Sequence, residues 1–227
     1  MTSRLTILFI LEQVLSVSGM GVALFWAAGR LDWWPAWAAI AIWIVWYAVT
    51  DTVLFRVSPS LVTERLNPPK GAKIWDRAIL SAVRLLQLAR YIVAGLDYRY
   101  GWTGGFPLGV QMIGLALCVA SYSLLAWAMA SNAFFSQVVR VQTDRGQTVV
   151  TGGPYRLVRH PGYLGAVAFE PGMSVLLGSW WAVALGVICS LLFVVRTELE
   201  DRSLRAELPG YADYAERVRF RLFPGIW

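Results

Sequence analysis

The sequence predicts an all-α integral membrane protein with five or six transmembrane helices. Of its 227 residues, 57% are hydrophobic and 12 are tryptophan, and its mean hydropathy is +0.55. A soluble domain is far less apolar than this. The apolar residues also gather into runs close to the roughly 20 residues that a helix needs to cross a bilayer. We therefore expect the lipid bilayer to be the main solvent of this chain.

Six apolar runs define the predicted helices. The third contains Arg84 and Arg90, so a position in the membrane interface is the alternative for it. The fifth, at a rise of about 1.5 Å per residue, reaches only roughly 24 Å, which leaves five or six crossings open. No small-residue cleavage site follows the first, so we expect a retained helix and not a signal peptide. The runs are residues 5–28, 34–55, 79–96, 108–130, 162–177 and 181–197.

The positions of lysine and arginine predict the orientation of these helices. With six crossings, the far side receives Arg30 and Arg99. The positive-inside rule then places both termini in the cytoplasm, and we expect a bacterial or archaeal inner membrane. The other side receives Arg4, Arg56, Arg65, Lys70, Lys73, Arg77, Arg140, Arg145, Arg156, Arg159, Arg202, Arg205, Arg217, Arg219 and Arg221. An aromatic belt on the far side is predicted from Trp33, Trp34, Trp102, Trp180 and Trp181.

Several classes of function are excluded by composition. The net charge of +6 is spread over the ends of apolar runs, whereas a nucleic-acid-binding domain carries a basic stripe. Cys118 and Cys189 fall inside predicted spans, and His160 is the single histidine, so no metal centre is expected. Neither a dinucleotide-binding glycine motif, nor a phosphate-binding loop, nor a Gly-x-Ser-x-Gly elbow is present. No repeat or linker divides the chain, which reads as a single membrane domain over 1–227.

Two polar clusters in the C-terminal half form the candidate active site. Residues 153–165 place the histidine, two arginines and two prolines between apolar runs, and residues 196–201 return charge to the same boundary. Such polar groups at a lipid boundary are costly unless they bind something. Pro161 is suited to open the fifth helix, whose positive end would favour a carboxylate. Glu170 has no evident partner in the sequence, and Pro171-Gly172 should weaken this helix midway.

These motifs resemble a known family. The patterns Gly-x-Tyr-x-x-x-Arg-His-Pro-x-Tyr-x-Gly, Arg-x-x-x-Glu-Asp and Pro-Gly-Tyr-x-x-Tyr are similar to those of isoprenylcysteine carboxyl methyltransferases and the related phospholipid methyltransferases. The resemblance covers about residues 132–227, which would be the cofactor-binding half, while 1–131 supply N-terminal transmembrane helices. It implies a methyltransferase with a cytoplasmic pocket for S-adenosylmethionine beside an entrance for a lipophilic or amphiphilic acceptor.

The resemblance also implies roles for individual residues. Arg196 occupies the arginine position associated with the acceptor, and Glu200 belongs to the cofactor site, so both are candidate catalytic residues. The frequent Glu-Glu pair of the family is here Glu200-Asp201, and Arg140 stands where some relatives have a cofactor-contacting glutamine. The implied cofactor contacts are Arg140, Gln147, Thr148, Val149, Val150, Tyr155, His160, Pro161, Gly162, Tyr163, Glu200 and Asp201.

The residue types agree with this chemistry. Carboxylates complement the ribose hydroxyls, amino group and sulfonium of S-adenosylmethionine, an arginine or a helix start holds its carboxylate, and aromatic rings stack on adenine. Methyl transfer is an in-line displacement, so positioning and desolvation of the acceptor provide most of the acceleration. An ionised carboxylate or thiolate acceptor needs no base, whereas an amine must arrive deprotonated.

Other interpretations stay open at this point. Arg196 and Glu200, four residues apart, are spaced as an ordinary ion pair, and His160 is placed to cap a helix. The acceptor is a prenylcysteine carboxylate, a phospholipid amine or a small thiol. A membrane reductase that binds NADPH and a scaffold without turnover are the alternatives from other classes. Three further groups of residues have two interpretations each. Interface anchors or adenine platforms are the alternatives for Tyr155, Tyr163, Phe134 and Phe135, and headgroup or substrate contacts are those for Arg217, Arg219 and Arg221. Helix contacts or an acceptor channel are the alternatives for Glu12 and Asp51.

Overall fold

A computed structural model describes residues 3–57, 62 and 71–227 of the chain. Within these residues the architecture is all-helical, as predicted, with seven α-helices and no strand. The helices are α1 (Ser3–Ala28), α2 (Trp34–Val57), α3 (Ile74–Tyr100), α4 (Leu108–Ala130), α5 (Pro161–Leu177), α6 (Trp180–Glu207) and α7 (Tyr211–Arg217). Arg65 and Lys70, which the orientation argument used, lie outside the described residues, as does the side chain of Arg4.

Five of these helices are long and apolar enough to cross a membrane: α1, α2, α3, α4 and α6. For the third run, these findings favour a crossing over the interfacial alternative, because α3 is one of the five and the side chain of Arg90 is fully buried in the helix bundle. The fifth predicted run, α5, has only 17 residues, or about 25 Å of helix. It nevertheless lies along the bundle axis, packed between α4 and α6.

The connection between α5 and α6 fixes their antiparallel arrangement. Gly178, with φ of +76°, ends α5 in the left-handed region that glycine adopts without strain. Ser179 then caps α6 by accepting a hydrogen bond from Ala182 N at 3.1 Å. At the same end of the bundle, Trp180 N donates to Thr103 Oγ1 at 3.2 Å. The α5–α6 turn and the α3–α4 connection therefore share one boundary, and the N-terminus of α5 lies toward the other.

Close helix contacts in the bundle depend on small residues, as is usual between membrane helices. A Cβ atom on Gly114 of α4 would lie 2.5 Å from Leu176 N and 2.8 Å from Gly172 O of α5. The backbones of α4 and α5 consequently meet almost directly. This contact holds α5 deep within the bundle.

Pro171 does not weaken α5 as we predicted, since the helix is continuous through it. A proline removes one backbone donor, which would leave the carbonyl four residues earlier, at Val167, without its helical partner. The hydroxyl of Ser190, on α6, donates to Val167 O at 2.8 Å. A side chain of the neighbouring helix thus replaces the missing hydrogen bond.

Glu170, without a partner in the sequence argument, joins a buried polar network. Arg90 Nη1 donates to the carbonyl oxygen of Glu170 at 3.0 Å and also contacts its carboxylate. Gln87 Nε2 donates to Glu170 Oε1 at 2.7 Å. Because the side chains of Arg90 and Glu170 are 0% and 2% exposed, this ion pair connects α3 to α5 inside the bundle.

Four of the five tryptophans predicted to form an aromatic belt are exposed, and one is buried. Trp34, Trp102, Trp180 and Trp181 are exposed at the boundary opposite the N-terminus of α5. Trp33 is instead only 2% exposed and stacks on Tyr98, with ring centroids 4.9 Å apart. It is a packing residue between the first loop and α3.

Candidate active site

The first turn of α5 and residues 196–201 of α6 lie side by side, because the two helices are antiparallel and joined by a short turn. Tyr163 Oη donates to the carboxylate of Glu200. The rings of His160 and Tyr163 have centroids 5.8 Å apart. His160 occupies the N-cap position of α5, but its side chain makes no capping hydrogen bond. The two polar clusters that we predicted to meet are therefore in contact.

Asp201 is the centre of a buried hydrogen-bond network. Its Oδ1 accepts from Arg159 Nε at 2.7 Å and from Tyr211 Oη at 2.9 Å, and lies 3.2 Å from His160 Nε2. Its Oδ2 accepts from Arg205 Nε and from Arg221 Nε, each at 3.1 Å. The side chain of Asp201 is 0% exposed. Both oxygens are thus occupied by groups of the protein itself.

The protonation of Tyr211 and His160 follows from this network. Burial, and then the charge of Asp201, raise the pKa of Tyr211 above its ordinary value, so its hydroxyl remains a donor. His160 Nε2 lies 3.2 Å from the Tyr211 oxygen as well as near Asp201, and both of these oxygens can accept. We therefore place a proton on His160 Nε2, from which it donates to one of these oxygens.

The C-terminal segment covers this end of the bundle. Arg159 N donates to Phe220 O at 2.9 Å, and His160 N donates to Arg221 O at 3.0 Å. Arg159 Nη1 also donates to the carbonyl oxygens of Val218 and Arg219, at 2.8 and 2.7 Å. The tail and the segment before α5 are consequently held as one unit around Asp201.

Arg196 forms an ion pair with Asp76, on α3, and not with Glu200, four residues away on the same helix. Arg196 Nε donates to Asp76 Oδ1 at 2.6 Å, and Nη2 donates to Gln137 O at 2.7 Å. The other oxygen of Asp76 accepts from Val139 N at 2.8 Å. The guanidinium carbon of Arg196 lies 5.1 Å from the centroid of the Tyr163 ring. Asp76 thus fixes both Arg196 and the chain segment that crosses it.

Glu200 differs from its neighbour Asp201 in its surroundings. Several arginines contact Asp201, whereas the recorded contact of Glu200 is the neutral phenol of Tyr163. Glu200 is also only partly buried, while Asp201 is fully buried. The charge of Glu200 is therefore the one in this cluster that a cationic ligand group would complement.

The predicted loop 147–150 is connected to the hydrogen-bond network of Asp201 through α7. Gln147 Oε1 accepts from Gln142 N at 2.7 Å, which stabilises the turn of the loop. Val149 packs against a small apolar cluster that contains Tyr211 and Tyr214, and Tyr211 in turn reaches Asp201. Thr148 is exposed, and Val150 is half-buried.

Three further predicted site residues, Tyr155, Pro161 and Gly162, are packed against the protein. Tyr155 Oη accepts from Asn132 Nδ2 at 3.1 Å, and burial raises the pKa of Tyr155. Pro161 is the first residue of α5, as predicted. A Cβ on Gly162 would come within 2.8 Å of the Phe135 ring, so glycine is needed for this ring to cover the start of α5.

Arg140 faces a polar cavity of about 520 Å³ that is also lined by Lys73 and Glu207. Arg140 Nη1 donates to Asp144 Oδ1 at 2.6 Å, and this hydrogen bond lowers the pKa of Asp144. Lys73 Nζ lies 2.6 Å from Glu207 Oε1 across the cavity. The Arg140–Asp144 ion pair lines this cavity, whereas Tyr163 and Glu200 contact each other at the start of α5.

Sequence reasoning assigned no role to Asp76 or Tyr211. Tyr211 is the first tyrosine of the Pro-Gly-Tyr-x-x-Tyr pattern, so the motif was noticed but its contact with Asp201 was not. Asp76 gave only one signal, a lone acidic residue beside the third apolar run at the predicted cytoplasmic boundary. Its partner Arg196 lies 120 residues later, beyond any helical spacing.

Comparison with known proteins agrees with this arrangement. Residues 112–206 match the model of the isoprenylcysteine carboxyl methyltransferase (ICMT) family. The chain is 26% identical over 140 residues to protein-S-isoprenylcysteine O-methyltransferase A of Arabidopsis thaliana, a match that covers 59% of this chain and 68% of that protein. It is 25% identical over 122 residues to the B protein of the same plant, covering 53% of this chain and 59% of that protein.

A solved structure has a similar fold. The structure of the eukaryotic intramembrane Ras methyltransferase ICMT superposes with a TM-score of 0.58 at 17% identity, covering 96% of this chain and 85% of that one. At this identity the likeness concerns the fold alone.

The helical bundle and the matched segment define an integral membrane methyltransferase. Within this class, residues 112–206 match the isoprenylcysteine carboxyl methyltransferase family, and the resemblance inferred from the motifs is confirmed. The matched residues include both polar clusters, from Gly153 to Asp201.

Proposed function

We propose that this chain transfers a methyl group from S-adenosylmethionine to the carboxylate of a lipophilic or amphiphilic acceptor at the cytoplasmic boundary of the membrane. The observation that carries this proposal is the junction of Tyr163, Glu200 and Arg196 at the start of α5. This junction lies inside the matched family segment. The names of the relatives favour methyl transfer over the alternatives of an NADPH-dependent reductase and a scaffold.

The residues present fit this cofactor. Glu200 offers carboxylate oxygens beside the start of α5, where His160 occupies the N-cap position. The backbone N–H groups of the first turn of α5 form the positive end of a 17-residue helix, which favours a carboxylate. Tyr163 and Phe135 supply aromatic surface at the same place. Each chemical feature of S-adenosylmethionine thus has a complement within this cluster.

In this reaction the chain binds the cofactor and the acceptor, orients them and excludes water. When bound, the cofactor supplies a methyl group on a sulfonium sulfur. Transfer of this methyl group to a carboxylate oxygen, with cleavage of the carbon–sulfur bond, would give a methyl ester and a neutral thioether and would move no proton. Arg196, already held by Asp76 and stacked over Tyr163, is placed to align an anionic acceptor group.

We assign different roles to the two adjacent carboxylates. Glu200 contacts the cofactor, because its charge is not already shared among arginines. Asp201 positions His160 and the tail, because protein donors occupy both of its oxygens. Glu200→Gln should therefore lower the affinity for S-adenosylmethionine roughly 10- to 150-fold, the effect of losing a hydrogen bond to a charged group. Isothermal titration calorimetry in detergent measures this change, and wild-type affinity in this variant would contradict the assignment.

The acceptor proposal is tested with radiolabelled S-adenosylmethionine. Membranes or purified protein are incubated with a prenylcysteine, with phosphatidylethanolamine or with an aliphatic thiol, and the labelled product is identified by mass spectrometry. We expect a methyl ester that mild base hydrolyses. If only the amine or only the thiol is labelled, the proposal of a carboxylate acceptor is wrong and that compound is the acceptor. Arg196→Lys keeps the charge but loses the guanidinium fork, so it should raise the acceptor KM while cofactor affinity is retained.

A further inference from the structure

The side of α6 that faces away from Arg196 and Glu200 carries an open groove of about 520 Å³, here called the tail groove. It lies between α6 and the C-terminal residues Arg221 and Trp227. Its apolar wall consists of Val194, Val195 and Leu199. This groove is separate from the proposed active site and has no part in the reaction described above.

The apolar wall continues along the lipid-facing surface of α6. Val195 is 49% exposed, and Leu191, one helical turn farther into the apolar part of α6, is 59% exposed. Side chains four residues apart lie on one face of a helix, so these two form a continuous stripe. A hydrocarbon chain in the bilayer would therefore meet this wall directly.

The polar end of the tail groove has an excess of positive charge. Glu198 is shared by two arginines, with Arg202 Nε at 2.7 Å and Arg221 Nε at 3.2 Å. Arg221 also contacts Asp201, which already contacts Arg159 and Arg205. Four arginines thus contact two carboxylates, which leaves an excess of two positive charges. The side chain of Arg202 is 71% exposed, so its charge is available at the surface.

An aromatic ring closes the groove beside these charges. The guanidinium carbon of Arg221 lies 5.0 Å from the centroid of the Trp227 ring. Tryptophan rings and arginine side chains are both enriched at the level of lipid headgroups. The groove therefore combines a cationic end, an interfacial aromatic ring and an apolar wall. These complement the anionic headgroup, the interfacial region and the acyl chain of a phospholipid.

We propose that the tail groove binds an anionic phospholipid, with its headgroup phosphate between Arg202 and Arg221 and an acyl chain along Val195 and Leu191. Glu198 competes with the phosphate for the same two arginines. Because of this competition, two substitutions should have opposite effects: removing the charge of Glu198 strengthens phospholipid binding, and removing the charge of Arg202 weakens it.

The test measures binding of phosphatidylglycerol to the detergent-solubilised protein by native mass spectrometry, with phosphatidylcholine as the comparison lipid. Arg202→Gln should weaken phosphatidylglycerol binding about fivefold, as expected for the loss of one cation near an anionic headgroup. Glu198→Gln should tighten it, and phosphatidylcholine binding should change in neither variant. Arg77→Gln, at an exposed arginine of the first turn of α3, is the matched control and should bind like the wild type.

Several outcomes would overturn the proposal. These are wild-type phosphatidylglycerol affinity in Arg202→Gln, weaker binding in Glu198→Gln, or equal effects of Arg202→Gln and Arg77→Gln. Glycerol phosphate, which has the headgroup without acyl chains, separates a lipid from a free phosphate as the ligand. Equal affinity for glycerol phosphate would contradict the contribution of the apolar wall. Because none of these measurements involves methyl transfer, they stand or fall independently of the proposed function.

Discussion

A single carboxylate on α3 determines where the guanidinium of Arg196 lies. Asp76 binds Arg196 with one oxygen and the backbone of Val139 with the other, and its side chain is 0% exposed. An arginine without this partner would carry a buried charge next to Tyr163 and Glu200. The N-terminal helices therefore contribute a residue to the part of the chain that carries the family motifs.

Asp76→Asn should destabilise the protein by about 3–5 kcal/mol, because it removes the hydrogen-bonded counter-ion of the buried Arg196 guanidinium. Equilibrium unfolding in mixed detergent and SDS measures this loss. Asp144→Asn is the matched control, since Asp144 forms its ion pair with Arg140 at the surface, and its effect should be much smaller. Equal stabilities of the two variants would contradict the buried role of Asp76.

At the scale of elements, α5 is held by contacts from three neighbouring helices. Its backbone meets α4 at Gly114, its free carbonyl at Val167 accepts from Ser190 of α6, and its Glu170 pairs with Arg90 of α3. These contacts fix the depth of α5, and with it the position of His160 and Tyr163 at its first turn. Contacts from three helices thus hold α5, a short helix that contains a proline, in the position that supports His160 and Tyr163.

Replacing Arg90 alone or Glu170 alone by methionine should cost about 3–5 kcal/mol, because each change leaves one buried charge unpaired. The double variant Arg90→Met/Glu170→Met removes both charges and should be more stable than either single variant. Arg84→Met, at an exposed position of the same helix, controls for the substitution. Additive losses in the double variant would show that the two side chains do not interact.

Sequence reasoning located the helices well but not the partners of their charged residues. A hydrophobic run is a local property, so α4 was predicted at its observed bounds and α5 within one residue. α6 extends ten residues past the predicted run because its last turns are charged and no longer apolar. Partners are a property of the three-dimensional packing: those of Asp201, Glu170 and Arg196 lie up to 120 residues away.

For the whole molecule, the distribution of arginine and lysine predicts that the proposed active site faces the cytoplasm. Asp213→Cys, on α7, should react with an impermeant maleimide only after the cells are opened. Leu31→Cys, at an exposed position of the opposite boundary, should react in intact cells. Background labelling is small because Cys118 and Cys189 are both buried. Labelling of Asp213→Cys from outside would reverse the orientation and separate the site from cytosolic S-adenosylmethionine.

The distance along the chain between Arg90 and Glu170 has a consequence for biogenesis. The two residues are 80 positions apart, so a ribosome that adds about 5–20 residues per second makes Glu170 roughly 4–16 s after Arg90. During this interval an arginine in the middle of α3 has no counter-ion, which costs a membrane helix about 2.5–3.5 kcal/mol at the translocon. Arg90 therefore acquires its counter-ion only when α5 arrives, so the ion pair between α3 and α5 forms after the C-terminal half of the chain has been made.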